Sequence, residues 1–197
     1  MKLNWAERWA VNNPVRVFEQ RLEINALHRA AALRPGSTVL EIGAGRGAGA
    51  EIIIEKFKPS RLHLMDLDRE MIIKARKRLA ASDHPPVSSC VADVLRLPYN
   101  DAMFDAVFGF GVLHHVPDWR GGLAEIARVL RTGGCYFFEE LYPSLYQNFI
   151  TRHILLHPTE NRFKSEDWKA ALRQQNLKVV KTLEKKMLGI LGAAVKE

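Results

Sequence analysis

The sequence predicts an α/β fold: a mostly parallel seven-stranded sheet with helices on both faces and a C-terminal antiparallel hairpin. Three observations predict it. Short apolar or β-branched runs alternate with helix-forming runs from residue 37 to 139, the rhythm of βαβ units with right-handed crossovers. Glycines and prolines mark the junctions between them. The last two strand-like runs are joined only through Glu184-Lys185-Lys186. A parallel crossover needs about a dozen residues or more, so those two strands pair antiparallel.

The elements follow in order. Asn13-Pro14 reads as a helix start with the proline in the first turn. Val15, Phe18, Leu22 and Leu27 then recur near helical spacing as far as the Arg34-Pro35-Gly36 stop. Ser37–Ile42 is a short β-rich run ending in glycines, a buried strand, and a helix of about Gly47–Phe57 is broken by Pro59-Ser60. Arg61–Leu67 is a second strand and Arg69–Ala81 a helix rich in strong helix formers. Beyond Pro85-Pro86 lie a third strand, Val87–Val91, and a fourth, Phe104–Phe110, apolar enough to be covered on both faces. Trp119–Leu130 is a helix closed by Gly133-Gly134, and Cys135–Glu139 is the fifth strand. Ser165 is expected to cap a helix ending near Gln175, ahead of the two hairpin strands Leu177–Leu183 and Met187–Val195.

The chain has 197 residues, 47% of them hydrophobic, enough to bury one full core without disulfides or metals. Its two cysteines, Cys90 and Cys135, lie in apolar stretches without metal-ligand spacing and are expected to be buried, reduced thiols. Met1–Arg8 lacks the apolar stretch of a signal peptide, and no apolar run reaches the roughly 18 residues of a membrane span. A cytoplasmic location is the expectation. The net charge of +7 favours anionic partners such as nucleic acid, lipid headgroups or acidic substrates. Lysine and arginine are nonetheless spread out, with no block denser than Lys74–Arg78, as on a solvated basic surface.

The chemistry concentrates in Glu41-Ile42-Gly43-Ala44-Gly45-Arg46-Gly47, where a strand runs into a glycine loop and then a helix. The glycines permit a tight turn and close approach of a ligand to the backbone. Gly43, Gly45 and Ala48 also satisfy the spacing of dinucleotide-binding loops, and Asp66 stands about 20 residues on, where an acid holds ribose hydroxyls in either case. Glu41 separates the two readings. At the carboxyl end of the first strand its charge would repel a pyrophosphate and attract a ligand carrying an ammonium and a sulfonium.

Glu41-x-Gly43-x-Gly45-x-Gly47 resembles motif I of the class I methyltransferases that depend on S-adenosylmethionine (SAM). Asp66-Leu67-Asp68 followed by Glu70-Met71 is similar to the acidic end of that family's second strand. Ala92-Asp93-Val94 with Leu97-Pro98 resembles the segment after its third strand. Phe104–Val107 running through His114-His115-Val116 resembles its fourth-strand motif, and Glu125–Gly134 its next helix end. The matches cover residues 37–140, and the hairpin extends them to the C-terminus. The most similar subgroup includes the ubiquinone and menaquinone C-methyltransferases.

The resemblance implies a Rossmann-like sheet, SAM as cofactor and S-adenosylhomocysteine as product. By the same resemblance Glu41, Gly43 and Gly45 would line the methionine part, with Ala44 and Gly47 of the same loop also binding the cofactor. Asp66 would hold the ribose hydroxyls, Leu67 would flank the adenine, Asp93 with the Val94 backbone would meet the adenine amino group, and Phe110 would close the site beneath the methyl group. Asp93 could instead cap the turn that follows it. Methyl transfer from a sulfonium needs alignment and exclusion of water, and a base only where the acceptor must lose a proton. The candidates are His114 and His115 after the fourth strand, Glu139 or Glu140 after the fifth, and His153 and His157 further on. Adjacent strand side chains alternate, so at most one of these two acids faces the site; Glu139 is selected. His153, His157 and Glu160 do not make a metal site, and none is expected.

The expected layout is an N-terminal helical lid over residues 1–34 with Trp5, Arg8 and Trp9, a cofactor-binding core over 37–140, a substrate cap over 141–164, and the last helix and hairpin over 165–197. The cap holds Tyr142, Leu145, Tyr146, Phe149, Ile150, Arg152, Leu155, Leu156 and Phe163, suited to an apolar acceptor with a polar end or to packing on the core. The expected acceptor is therefore a small, apolar or lipid-like molecule, with membrane-surface contact a further expectation. Nucleic acid ranks lower: the fourth-strand segment lacks the Asn/Asp-Pro-Pro-Tyr/Phe of DNA-amino and glutamine methyltransferases. An RNA methyltransferase and a non-catalytic SAM-binding or assembly protein remain the alternatives, and the sequence sets no oligomeric state. A quinone acceptor is not carried over, because the cap is short and Asn12-Asn13-Pro14 is atypical.

Overall fold

A computed structural model describes residues 14–31, 33–80, 84–146, 160–185 and 188–197. Strands β1 (Thr38–Ile42), β2 (Arg61–Asp66), β3 (Val87–Val91), β4 (Phe104–Phe110), β5 (Leu130–Leu141), β6 (Leu177–Lys185) and β7 (Gly189–Lys196) form one sheet in the order β3-β2-β1-β4-β5-β7-β6. The first five are parallel, and β7 runs antiparallel to both β5 and β6. The hairpin is thus the antiparallel pair that its short connection requires. The helices are α1 (Pro14–Ala30), α2 (Ala48–Phe57), α3 (Arg69–Leu79), α4 (Trp119–Val129), the one-turn α5 (Pro143–Tyr146) and α6 (Ser165–Gln174).

Alternation along the strands divides the interior into two cores. Leu40, Ile42, Val107, Tyr136 and Phe138 pack with Trp119, Ile126, Trp168 and Leu172 of α4 and α6. Val39, Leu64, Ala106, Phe108 and Phe137 pack on the opposite face with α1, α2 and α3 through Ile24, Leu27, Ile53, Phe57, Ala75 and Leu79. Because the chain runs from β1 out to β3 and returns to start β4 on the other side of β1, the connections leaving β1 and β4 diverge. A crevice at the carboxyl ends of these strands is where open α/β sheets take ligands.

Several local expectations are corrected. Of the residues at helical spacing on α1, Val15, Phe18 and Leu22 stand exposed, and only Leu27, with Ile24 beside it, is buried on the second core. Strand β5 begins at Leu130 rather than Cys135. Leu130 pairs with Phe104 before a register shift, and Arg131 holds Asp105 at 2.8 Å, which keeps this stretch against β4. Lys164, not Ser165, is the N-cap of α6, its free N–H satisfied by the Asp167 carboxylate at 3.0 Å. Cys135 is buried, but Cys90 on edge strand β3 is half-buried, its Sγ 3.4 Å from Tyr99 Oη. Trp5, Arg8, Trp9, Phe149, Ile150, Arg152, His153, Leu155, Leu156 and His157 lie outside the described residues, as does Met187.

Candidate active site

The loop after β1 is tied to the end of β2. The Ala44 N–H donates to the Met65 carbonyl at 3.0 Å, and the Gly45 N–H donates to Asp66 Oδ2 at 2.9 Å. Gly43, Gly45 and Gly47 all adopt left-handed backbone angles, with φ of 62°, 52° and 80°. Gly45 faces open space, with no atom within 4 Å of where a Cβ would stand, so the outer side of the turn is accessible. Ala44 is buried in the second core.

Glu41 is buried at the end of β1, and its Oε2 has no hydrogen-bond partner. The carboxylate fits against α2 only because residue 49 is glycine: a Cβ there would fall 2.2 Å from Glu41 Oε1 and 2.7 Å from Gln20 Nε2 of α1. Burial, and next the negative charge of Asp66, push Glu41 up to about 8. A buried acid without a cation to face is costly as a carboxylate. A positively charged ligand group would relieve that cost.

Asp66 is half-buried. Its Oδ1 accepts from the Asp68 N–H at 2.8 Å and its Oδ2 from Gly45. Burial raises its pKa against these bonds. Each oxygen keeps a second lone pair, the acceptor capacity that a diol requires. Leu67 is exposed beside it. Asp93, after β3, is exposed, and its Oδ1 accepts from the Leu95 N–H at 2.9 Å, so it does cap its own turn. Val94 is buried in the first core. Phe110 is half-buried at the end of β4, its ring 6.2 Å from that of Phe108.

The adjacent acids of β5 separate as alternation requires. Glu140 is fully buried and grips the turn after β4, the single 3-10 turn Leu113–His115. Its Oε1 accepts from the Leu113 N–H at 2.9 Å; its Oε2 accepts from the His114 N–H at 3.0 Å and from His114 Nδ1 at 2.8 Å. A carboxylate can only accept, so the His114 ring proton sits on Nδ1. The His115 ring lies 4.2 Å from that of His114, and Tyr146 stacks on His114 at 5.8 Å. From the other side Arg162 donates to the carbonyls of His114 at 2.7 Å and Val116 at 2.9 Å.

Glu139 points the opposite way and forms a close ion pair with Arg16 of α1. Arg16 also donates to both oxygens of Glu23 at 3.0 Å. Burial raises Glu139 to about 7 against the pull of Arg16, and the charges of Glu23 and Glu140 add to the rise. On Arg16, burial acts downward, but Glu139 and Glu23 outweigh it and raise its pKa.

A family model described as a methyltransferase domain matches residues 40–138. The chain belongs to the class I SAM-dependent methyltransferase family. It is 32% identical over 148 residues to the phthiotriol/phenolphthiotriol dimycocerosates methyltransferase of Mycobacterium tuberculosis, covering 72% of this chain and 54% of that protein. It is 34% identical over 125 residues to the fatty-acid O-methyltransferase of Mycolicibacterium smegmatis, covering 62% of this chain and 44% of that one. The chain spans about half the length of the curated relatives it matches. Its fold is similar to the crystal structure of a SAM dependent methyltransferase from Aquifex aeolicus, with a TM-score of 0.77 at 17% identity over 100% of both chains.

The residues of this family member fit the group that the family uses. A buried, unpartnered carboxylate oxygen on Glu41, an open glycine turn and the spare lone pairs of Asp66 share one strand-end crevice. Arg16, Gln20, Glu23 and Arg162 have no local signal in the sequence, since Arg16 meets Glu139 across 123 residues and Arg162 meets the His114 carbonyl across 48. Glu140 could have been singled out by alternation with Glu139, but not its hold on the turn. No helix among the described residues is long and apolar enough to cross a membrane, and they contain no cluster of metal-ligating residues.

Proposed function

We propose that this chain methylates a small, apolar, lipid-like acceptor with SAM as donor. The observation that carries the donor is the buried, unpartnered Glu41 carboxylate beside the glycine turn. Glu41, Gly43, Ala44, Gly45 and Gly47 take the methionine end, Asp66 the ribose hydroxyls and Leu67 one face of the adenine. Asp93 and the Val94 backbone take its amino edge, and Phe110 closes the floor. Bound there, SAM supplies a methyl carbon on a sulfonium leaving group, so the protein has chiefly to align the acceptor and exclude water. The apolar acceptor is supported by two relatives named for lipid substrates.

Where the acceptor must lose a proton, His114 is the base that the geometry favours. With its proton fixed on Nδ1 by Glu140, Nε2 holds the lone pair. His115 packs beside it and shapes the pocket. Glu139, tied to Arg16, anchors α1 at the mouth of the site and serves as base only if that pair opens. Tyr146 and Arg162, at the two described ends of the 141–164 cap, both reach the His114 turn, which supports placing the acceptor there. The first turn of α1 at Glu139 supports a lid role for residues 1–34. Membrane-surface contact belongs to the same reading, because lipid-like acceptors reside in membranes.

The test is transfer of labelled methyl from SAM into a cell extract fractionated into lipid, RNA, protein and metabolite pools. Label in the lipid pool is expected. Label confined to RNA would replace the acceptor by nucleic acid, and SAM binding without transfer to any pool would make the chain a non-catalytic SAM-binding protein.

A further inference from the structure

We propose that the outer face of α1, continued by the end of β6, docks on an anionic lipid bilayer. The proposal deepens the membrane contact of the preceding reading and rests on it, but its test needs no turnover. Val15, Phe18 and Leu22 are 66%, 62% and 54% exposed, and their spacing of three and four residues places them in one stripe. The helix does not need them for its own packing. Ile24 and Leu27 bury it on the second core, while Arg16, Gln20 and Glu23 turn toward Glu139 and Glu41. Scattered single apolar residues are ordinary on a protein surface; an unbroken row containing an aromatic ring marks a contact.

The row does not stop at the helix. Ala26, one turn beyond Leu22, and Leu27 line a shallow apolar depression with Leu191 and with Leu183 of β6, which is 52% exposed. Exposed cations border this surface: Arg29 on the helix and Lys181 and Lys185 on the strand. Of the other charges on this side of α1, Arg21 is held by Glu55 at 2.7 Å and Glu19 leans toward Arg16 at 3.9 Å. An apolar row with a basic border on a chain of net charge +7 complements anionic headgroups over acyl chains. A second copy would bring the same cations against it. The row also begins where Arg16 meets Glu139, at the ligand edge of the sheet, so a bilayer seated on it lies beside the mouth of the site.

Flotation of the full chain with phosphatidylcholine vesicles, with and without phosphatidylglycerol, tests this. Binding should require phosphatidylglycerol and weaken with salt. Phe18→Ser/Leu22→Ser should lower vesicle affinity by about 10-fold or more with SAM affinity and circular dichroism unchanged. Lys181→Glu/Lys185→Glu, on exposed side chains, should lower it on phosphatidylglycerol vesicles without touching the helix. Vesicle binding that both double variants retain, or no binding by the parent chain, would overturn the proposal. A parent dimer that Phe18→Ser/Leu22→Ser converts to monomer, without any vesicle affinity to lose, would assign the surface to self-association instead. A chain that binds vesicles but transfers no methyl group would sink the function and leave the docking surface standing.

Discussion

Replacing Glu140 by glutamine changes one atom, yet the new amide cannot satisfy the turn that the acid holds. The carboxylate accepts three hydrogen bonds, at 2.9, 3.0 and 2.8 Å, from Leu113, from His114 and from the His114 ring. If the amide oxygen takes the place of Oε2, its NH2 faces the Leu113 N–H. In the other orientation the NH2 faces both His114 donors. Either way at least one buried donor is left unpaired, at about 1–3 kcal/mol each, and the surviving bonds lose their charge assistance. Removing a buried charge returns part of that cost. A net loss of about 2–4 kcal/mol follows, which in a chain of this size lowers the melting temperature by roughly 5–15 °C. The turn that carries His114, proposed to seat the acceptor, also loosens, and a displacement near 1 Å costs on the order of 100-fold in rate. Glu41 and Asp66 lie on other strands, so SAM affinity should fall by less than about 3-fold, against about 10-fold or more for Glu41→Gln. Thermal unfolding, SAM calorimetry and methyl-transfer rates on Glu140→Gln read these separately. A melting temperature equal to that of the parent, or a loss of SAM affinity matching that of Glu41→Gln, would refute the reasoning.

Three further outcomes are expected. Burial lifts Glu41 to about 8 from its ordinary 4.5. A carboxyl raised on folding stabilises the protein only while protonated, so the ligand-free chain should lose stability as pH rises from about 4.5 to 8. Glu41→Gln should flatten that decline while weakening SAM, and melting curves across the range check both. Arg16→Ala leaves Glu139 and Glu23 facing each other without a cation; a loss of about 2–4 kcal/mol is expected, read by urea unfolding. Gly43→Ala sets a Cβ 2.6 Å from Val112 Cγ2 at a φ of 62°, so SAM affinity should fall and stability drop by about 1–3 kcal/mol, measured by calorimetry and thermal melts.

What the sequence disclosed was local. Strand, glycine loop and helix between Val39 and Phe57 are set by neighbours in the chain, and the three-residue link before β7 admits one sense of pairing. Contacts made by return of the chain were invisible. Nothing around Val15, Phe18 and Leu22 says that the inward side of α1 is given to Arg16, Gln20 and Glu23, because Arg16 finds Glu139 on β5 and Gln20 sits against Glu41 of β1 and Gly49 of α2. The choice of Glu139 over Glu140 failed to anticipate the hold on His114 for the same reason: alternation separates the two side chains but does not say which face receives the turn after β4. At Asp93 the local alternative applies: its carboxylate closes its own turn through Leu95.

The turn between β4 and α4 is gripped at both poles. Glu140 takes its N–H groups from within the sheet, and the Arg162 guanidinium takes its carbonyls from the start of the C-terminal segment. The turn is thus held by Glu140 and Arg162, two residues that come to it from opposite sides. Sequence change between positions 147 and 159 should therefore leave the position of His114 unaltered, since neither of the two belongs to that stretch.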